Sequence, residues 1–451
     1  MSESVPPIRH SLPWVRLVTI VAVMAIGVSG LWVVIRQVAD TDVPDADPAT
    51  EIASPVASPP ATPGTPGPAT PPGEEAAPEG NGEPAWPTGS LPAMLDSAPD
   101  RLADDSLPLN DVAQYADIAG WMAANGVGPP ESLTDPELAA WEAELANLAI
   151  PPSLRERGLD PVWQATYGFD LTQVEQVLSI GQAPDYVTIL RGTFDPEVLQ
   201  AAWVSSGYQA VEVEGQTIWS LFPGDTIDLS AQASRPAMGT FNNVAVLDDG
   251  TLVAAAKTSR LGSTLEVVNG NAPSLAENDD VAALLLPGTG VERLASAVIS
   301  KGSLLQATVG SMPASGATPT PTTAPIATPE DETGMPEVNV VLLGIPLPTV
   351  PDRATPEGQV EAHRLTMLFV VDDMADAQAA RREIVARLER DRSPATGEPY
   401  TDRIANPAVA LLEGDDRALV RITGTLADGA LDWLDILDDR DLGFAFWLPE
   451  E

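Results

Sequence analysis

The stretch LVTIVAVMAIGVSGLWVVI, residues Leu17–Ile35, is an uninterrupted apolar run without a charged side chain. A helix rises about 1.5 Å per residue, so this run is long enough to cross a hydrocarbon core of roughly 30 Å. Trp14 and Trp32 lie near its two ends, and indole rings favour the membrane interface. Signal peptides usually carry only about 7–15 apolar residues. We therefore expect an uncleaved transmembrane signal-anchor over residues 14–36, and a cleaved signal peptide is the alternative.

The basic residues that flank this run predict its orientation. Arg9 and Arg16 precede it, whereas only Arg36 follows it before Arg101. An excess of basic residues marks the cytoplasmic side of a transmembrane helix. Residues 1–13 are therefore expected to form a cytoplasmic tail. The large C-terminal part is expected to be extracytoplasmic, on a single-pass protein of the cell membrane.

Two proline-rich stretches divide the rest of the chain. Residues 37–90 combine Pro, Ala, Thr, Gly and Glu, and such a composition cannot bury enough apolar surface to offset the entropy of ordering. We expect a disordered stalk there. Residues 313–336 are rich in Pro and Thr and are expected to form a disordered loop or a linker. Residues 91–312 and 337–451 are predicted to be two lobes of an ectodomain, joined as one domain or two.

Composition narrows the range of functions. The chain of 451 residues has 65 Asp and Glu against 23 Lys and Arg, which gives a formal net charge of −42. Such a charge repels phosphates, so nucleic acid is not an expected partner. The chain contains no cysteine, which excludes a disulfide framework, a thiolate zinc site, an iron–sulfur cluster and a lipid anchor attached through cysteine. No cofactor is indicated.

Apolar spacing in the two lobes predicts an α+β ectodomain of largely antiparallel sheets, with helices packed on one side. Residues 188–195 and 366–372 are each an apolar strand that ends at an aspartate, and each is followed by a helix and a hairpin. This strand–helix–hairpin order resembles ferredoxin-like α+β modules.

Helical spacing predicts further helices before the first of these units and between the two. Asp111–Asn125 places apolar residues on one face, and Val291–Ser300 has a similar pattern. Thr134 and Glu137 match a capping box, so a third helix is expected to begin there. Trp141, on that helix, is expected to lie in the core.

Few residues suggest chemistry, and none is assigned a catalytic role. His363 is expected at the end of a strand and not as a general base. Leu286–Gly290 matches L-P-x-T-G, the sorting signal that sortases cleave, but it lies mid-chain and is interpreted as a turn. No G-x-G-x-x-G or Walker A pattern occurs, so no nucleotide site is indicated.

Aspartates recur in clusters that carry two alternative interpretations. Calcium prefers several carboxylate oxygens, but Asp-Asp-Gly is also ordinary hairpin chemistry and aspartate often caps a helix. None of the clusters follows the EF-hand pattern. Structural roles are therefore expected, and metal binding stays open. The clusters are Asp248-Asp249, Asp279-Asp280, Asp372-Asp373 with Asp376, Asp415-Asp416, and Asp438-Asp439 with Asp441.

A tether, a stalk and an acidic ectodomain together predict a membrane-tethered extracytoplasmic module. Its expected role is non-catalytic binding of a protein partner or small ligand at the cell surface, with the membrane contacted through Leu17–Ile35. One alternative is an extracytoplasmic hydrolase that uses carboxylates, with or without a metal ion. The other is a structural component of an envelope assembly.

Overall fold

The computed structural model describes residues 89–100, 112–303, 335–348 and 364–426, except 183–184, 223, 227–228, 394–395 and 415. It also describes residues 433, 434, 436, 442, 444 and 445. The apolar run, almost all of the predicted stalk, residues 313–334 of the second proline-rich stretch and His363 lie outside these residues. Within them, no helix is both long and apolar enough to cross a membrane. All of them belong to one compact unit, Trp86–Glu451.

The described chain alternates short helices with twelve strands of a single sheet. The strands are β1 (Val112–Asp117), β2 (Val174–Gln182), β3 (Asp185–Gly192), β4 (Gln209–Val213), β5 (Gln216–Ser220), β6 (Asn243–Val246), β7 (Leu252–Ala255), β8 (Leu294–Lys301), β9 (Val340–Pro346), β10 (Arg364–Val371), β11 (Ile404–Glu413) and β12 (Ala418–Leu426). The helices are α1 (Leu91–Leu95), α2 (Ile118–Asn125), α3 (Leu138–Leu145), α4 (Pro152–Arg157), α5 (Pro161–Tyr167), α6 (Pro196–Ser205), α7 (Thr258–Val268), α8 (Asp279–Leu284), α9 (Met374–Arg390) and α10 (Tyr400–Arg403).

The sheet runs in the order β11-β12-β10-β9-β8-β1-β2-β3-β7-β6-β5-β4, so β11 and β4 are its edges. Its strand pairs are antiparallel, which confirms the predicted α+β class with an antiparallel sheet. Strands β8 and β9 pair directly, with Ala297 opposite Gly344. Strands on either side of residues 304–334 therefore share one hydrogen-bonded sheet.

Helices cover both faces of this sheet, so the expectation of helices on one side is wrong. Adjacent residues of one strand serve opposite layers: Phe369 belongs to the layer that contains α2–α6 and α9, whereas Leu368 belongs to the layer that contains α1, α7 and α8. Strands β8, β9 and β10 are buried along almost their whole length. Such strands read as continuous apolar runs without alternation, which is the pattern of a sheet covered on both faces.

Two predicted helices are strands at the centre of the sheet. Residues 112–117 form β1, which pairs with both β2 and β8, and the predicted helix survives only as α2. Residues 294–301 form β8, after a single 3₁₀ turn over Val291–Arg293. Pairing on both edges supplies backbone hydrogen bonds and burial that a weak helical pattern cannot match, so tertiary context overrides local preference.

The start of α3 also differs from the expected capping box. The helix begins at Leu138, and the Thr134 side chain caps nothing. Instead the Asp135 carboxylate accepts from the backbone N–H groups of Glu131 (2.9 Å) and Glu137 (2.8 Å). These hydrogen bonds lower the pKa of Asp135. Aspartate satisfies the exposed amides here more directly than the predicted threonine.

The predicted hairpins and the first of the two strand-end aspartates are confirmed. Glu214 and Gly215 turn β4 into β5 with φ angles of 49° and 76°, as a two-residue turn requires. Asp195 caps α6 and accepts from the amides of Glu197 and Val198. Asp373, one residue after the aspartate expected from the sequence, caps α9 in the same way. Each helix then leads into a hairpin.

Candidate functional site

A groove of about 580 Å³ lies between helix α9 and the edge strand β11. Four residues of α9 and Leu411 of β11 line it, and the four helical ones are Gln378, Arg381, Arg382 and Val385. The helix turns Ala377, Ala380, Ile384 and Leu388 toward the sheet. The lining residues recur three or four positions apart beside this buried stripe, so they form the flank of α9 that faces the edge of the sheet.

Strand β11 supplies the other wall of the groove and presents an open edge. Val409 and Leu411 pack with the layer that contains α9, whereas Leu412 packs with the opposite layer. Its inner edge pairs with β12, and no described strand pairs with its outer edge. A register shift between Ala405 and Ala408, with Asn406 at φ 52°, interrupts the ladder at its start. The regular edge is therefore residues 408–413.

The two arginines of the groove carry unneutralised charge. Elsewhere on α9, Arg387 Nε lies 2.7 Å from Glu383 Oε1, and Arg390 Nε lies 2.7 Å from Asp391 Oδ1. Arg381 and Arg382 are exposed and make no ion pair or side-chain hydrogen bond with any described residue. A guanidinium presents a planar fork of donors that matches carboxylate and phosphate oxygens. The groove can therefore bind an anionic group beside an apolar floor.

No motif in the sequence marks this pair of arginines as a candidate site. Adjacent arginines were a visible signal in so acidic a chain. Their importance depends on which flank of the helix they occupy and on whether a carboxylate from elsewhere reaches them. Only the packing of α9 on the sheet decides both points.

Two of the sequence-predicted aspartate clusters meet around one arginine, Arg417. Arg417 Nε lies 2.7 Å from Asp280 Oδ1, and its Nη1 lies 3.9 Å from Asp372 Oδ1. Asn339 Nδ2 donates to Asp372 Oδ1 at 3.0 Å and to Asp280 Oδ1 at 3.3 Å. The hydrogen bond to Asp280 raises the pKa of Arg417. The guanidinium and amide thus take the place that a cation would need, and the described residues contain no group of three or more potential metal ligands.

The remaining sequence motifs have structural roles where they are described. Asp249 Oδ1 accepts from the Thr251 amide at 2.9 Å within the β6–β7 turn. The L-P-x-T-G match forms a turn with Gly288 and Gly290 at φ 89° and 85°, and Arg421 donates to the Gly288 carbonyl. The cluster at Asp438 lies outside the described residues. Trp141, predicted to be in the core, is fully buried.

A polar cluster that the sequence did not indicate lies where β1, β2 and β3 adjoin. Asp117 Oδ1 accepts from the Gly120 amide at 2.9 Å and from Gln176 Nε2 at 3.1 Å. Arg191 stands opposite Gln176 in the β2–β3 pair, and no group in the described part of the chain forms a hydrogen bond with its buried Nε. Burial raises the pKa of the Asp117 carboxyl, and the two hydrogen bonds only partly oppose that rise.

Replacing Asp117 with asparagine is expected to change the pH dependence of stability. The pKa of Asp117 is higher in the folded chain than in the unfolded chain. The free energy of unfolding therefore falls as pH rises from the unfolded pKa through the folded pKa. Asparagine keeps the acceptor oxygen but does not titrate. Asp117→Asn should therefore gain stability relative to the native chain as pH rises above the ordinary aspartate pKa of about 3.9, measured by urea unfolding of the full-length chain in detergent.

Asp135→Asn is the matched control for this experiment. Backbone hydrogen bonds lower the pKa of Asp135 in the folded chain. The ionised carboxylate therefore contributes to folding stability above the unfolded pKa, and this contribution is lost as pH falls through the folded pKa. Asp135→Asn should therefore lose stability relative to the native chain as pH rises. Parallel slopes for the two variants would contradict the proposed burial of the Asp117 charge.

Comparison with known proteins finds no protein family, no curated protein and no solved structure that matches this chain.

Proposed function

We propose that this protein is a membrane-tethered, extracytoplasmic module that binds an anionic partner at the cell surface and catalyses no reaction itself. The tether is the apolar run Leu17–Ile35, and residues 37–90 form the stalk that separates it from the binding module. The binding site is the groove between α9 and β11. The observation that carries the proposal is the unpaired charge of Arg381 and Arg382 in that groove.

Local charge outweighs the acidic surface of the chain at the distances of contact. The formal net charge of −42 repels an anion at long range. At physiological ionic strength, however, the screening length is about 8 Å. A carboxylate that reaches Arg381 or Arg382 within hydrogen-bond distance therefore interacts mainly with those guanidinium groups. Long-range repulsion slows encounter and selects partners that fit the groove closely.

The fold proposed for this module is a pair of related ferredoxin-like units. The order β1-β2-β3-β7-β6 matches the order β8-β9-β10-β12-β11, and the two series meet at the antiparallel β1–β8 pair. Helix α6 follows β3 as α9 follows β10. We infer that each half is a strand–helix–hairpin unit and that an approximate two-fold axis relates them. The groove lies at the open edge of the second unit.

A single cysteine introduced at Gln378 tests location and binding together, because the chain has no cysteine of its own. In intact cells that produce full-length Gln378→Cys, a membrane-impermeant maleimide should label the chain. Hexaglutamate should slow this labelling at least threefold, since it covers the groove. Adding Arg381→Glu and Arg382→Glu should abolish the protection.

Two control variants separate the parts of this experiment. Ser4→Cys lies in the predicted cytoplasmic tail and should be labelled only after the cells are permeabilised. Arg235→Cys lies at another exposed position and should be labelled at the same rate with or without hexaglutamate. Labelling of Gln378→Cys only after permeabilisation would refute the location. Labelling that hexaglutamate leaves unchanged would refute binding in the groove.

A further inference from the structure

We propose that the partner is an extended acidic segment of another protein, which adds as a strand to the outer edge of β11 and sets carboxylates against Arg381 and Arg382. This inference rests on the proposed function, because it names the partner of the same groove. It is carried by the juxtaposition of an open strand edge, an apolar floor and two unpaired arginines.

The edge of β11 offers backbone groups for such a strand. Residues 408–413 pair regularly with residues 418–423 of β12, and their outward N–H and C=O groups meet no described strand. An open edge is a template for strand addition, in which main-chain hydrogen bonds supply affinity. Pro407 and the left-handed Asn406 end the regular edge on one side. The edge is therefore long enough for a strand of about six residues.

The alternation of β11 predicts which side chains of the partner meet the arginines. Val409 and Leu411 face the layer that contains α9, while Leu412 faces the other layer. An added strand has the same period of two, so every second side chain would lie over the groove. Acidic residues at positions i and i+2 would bring two carboxylates to Arg381 and Arg382. Apolar residues between them would lie on the opposite face.

Charge disfavours a second copy of this chain as the occupant. Two copies would each bring a formal net charge of −42. If the β11 strands of two copies paired about a two-fold axis, the interface would be isologous. Arg381 and Arg382 of one copy would then lie beside the same two arginines of the other copy. An acidic strand uses the same edge and replaces the repulsion between arginines with attraction between carboxylates and arginines. An isolated anion would use the arginines alone and leave the edge unpaired.

The probe is a fluorescein-labelled heptapeptide in which valine and aspartate alternate, capped at both ends. Its binding to the full-length chain in detergent is measured by fluorescence anisotropy. Arg381→Glu with Arg382→Glu should weaken binding at least tenfold. Arg235→Glu with Arg293→Glu changes the net charge equally at exposed sites on other elements, and this control should bind within about twofold of the native chain.

Backbone methylation separates strand addition from attraction between charges. Successive N–H groups of a strand point to opposite edges of that strand. One peptide is therefore methylated at its valine amides and a second at its aspartate amides. Each modification blocks hydrogen bonding along one edge of the peptide. Antiparallel pairing is the more stable arrangement and is the one found in this sheet, so one orientation is expected. One methylated peptide should bind at least tenfold more weakly than the parent, and the other should bind like the parent.

Each failure has its own signature. If both methylated peptides bind like the parent while the arginine variant still loses binding, strand addition is refuted and the anion-binding groove stands. Displacement of the peptide by equimolar inorganic phosphate would refute the peptide as the preferred anion. A native dimer that the peptide dissociates, seen by sedimentation, would show that a second copy occupies the edge. If the arginine variant binds as well as the native chain, the proposed function fails as well.

Discussion

Replacing Trp163 with alanine is expected to lower the free energy of unfolding by about 3–5 kcal/mol. The indole of Trp163 is fully buried in helix α5. Its ring centroid lies 4.6 Å from that of Tyr167, 5.2 Å from that of Phe241 and 6.0 Å from that of Phe169, all in edge-on geometry. Truncation removes the transfer energy of a large ring and leaves a cavity that three rigid rings cannot fill.

Trp163→Phe is the control that separates ring packing from the polar atom of the indole. Trp163 Nε1 is buried and has no hydrogen-bond partner among the described residues, so the nitrogen itself costs stability. Phenylalanine retains an aromatic ring and removes the unsatisfied donor. We expect it to lose roughly half as much stability as alanine, or less. Urea unfolding of the full-length chain in detergent, followed by circular dichroism, gives both values. Equal losses would show that the aromatic contacts do not stabilise this layer.

The sequence predicts the elements of the fold better than the layers. Hairpins such as Glu214-Gly215 are coded locally, because only a few residues tolerate a left-handed backbone. Caps such as Asp195 are also local, since the carboxylate reaches amides only two and three residues away. Features of this kind depend on neighbours in the sequence, and the structure confirms them.

Features that depend on distant parts of the chain were predicted less well. Strand β8 reads Leu-Ala-Ser-Ala-Val-Ile-Ser-Lys, which has neither strict alternation nor a breaker of helices. It becomes a strand because β1 and β9 pair with its two edges. Ser296 illustrates the same dependence. Its buried hydroxyl donates to the Tyr115 carbonyl and accepts from the Ala149 amide, two groups that lie far from it in the sequence.

The candidate groove shows the same limit for function. Arg381 and Arg382 differ from Arg387 and Arg390 on the same helix only in what surrounds them. Arg387 pairs with Glu383, four residues earlier, and Arg390 pairs with Asp391, one residue later. Arg381 and Arg382 face the open edge of β11. The carboxylates near Arg387 and Arg390 can be read from the sequence, but the groove beside Arg381 and Arg382 arises only from the docking of α9 on the sheet.

Replacing Gly192 with valine is expected to destabilise the chain by about 3 kcal/mol or more, although strand propensity alone predicts the opposite sign. A Cβ at residue 192 would lie 2.0 Å from the backbone oxygen of Gln173. That oxygen accepts from the Thr193 amide at 3.0 Å, next to the register shift between Val174 and Gln176. The contact is with backbone, so relief requires a shift of β3 against β2.

Gly128→Val is the matched control, because the same substitution there meets no atom within 4 Å. It should change the free energy of unfolding by no more than about 0.5 kcal/mol. The comparison sets two physical effects against each other. If valine's preference for extended backbone dominated, Gly192→Val would equal or exceed the native chain in urea. If close approach dominates, as we expect, its midpoint falls well below that of Gly128→Val. Residue 192 lies three residues before Asp195, which caps α6, so the shifted strand would also displace the start of that helix.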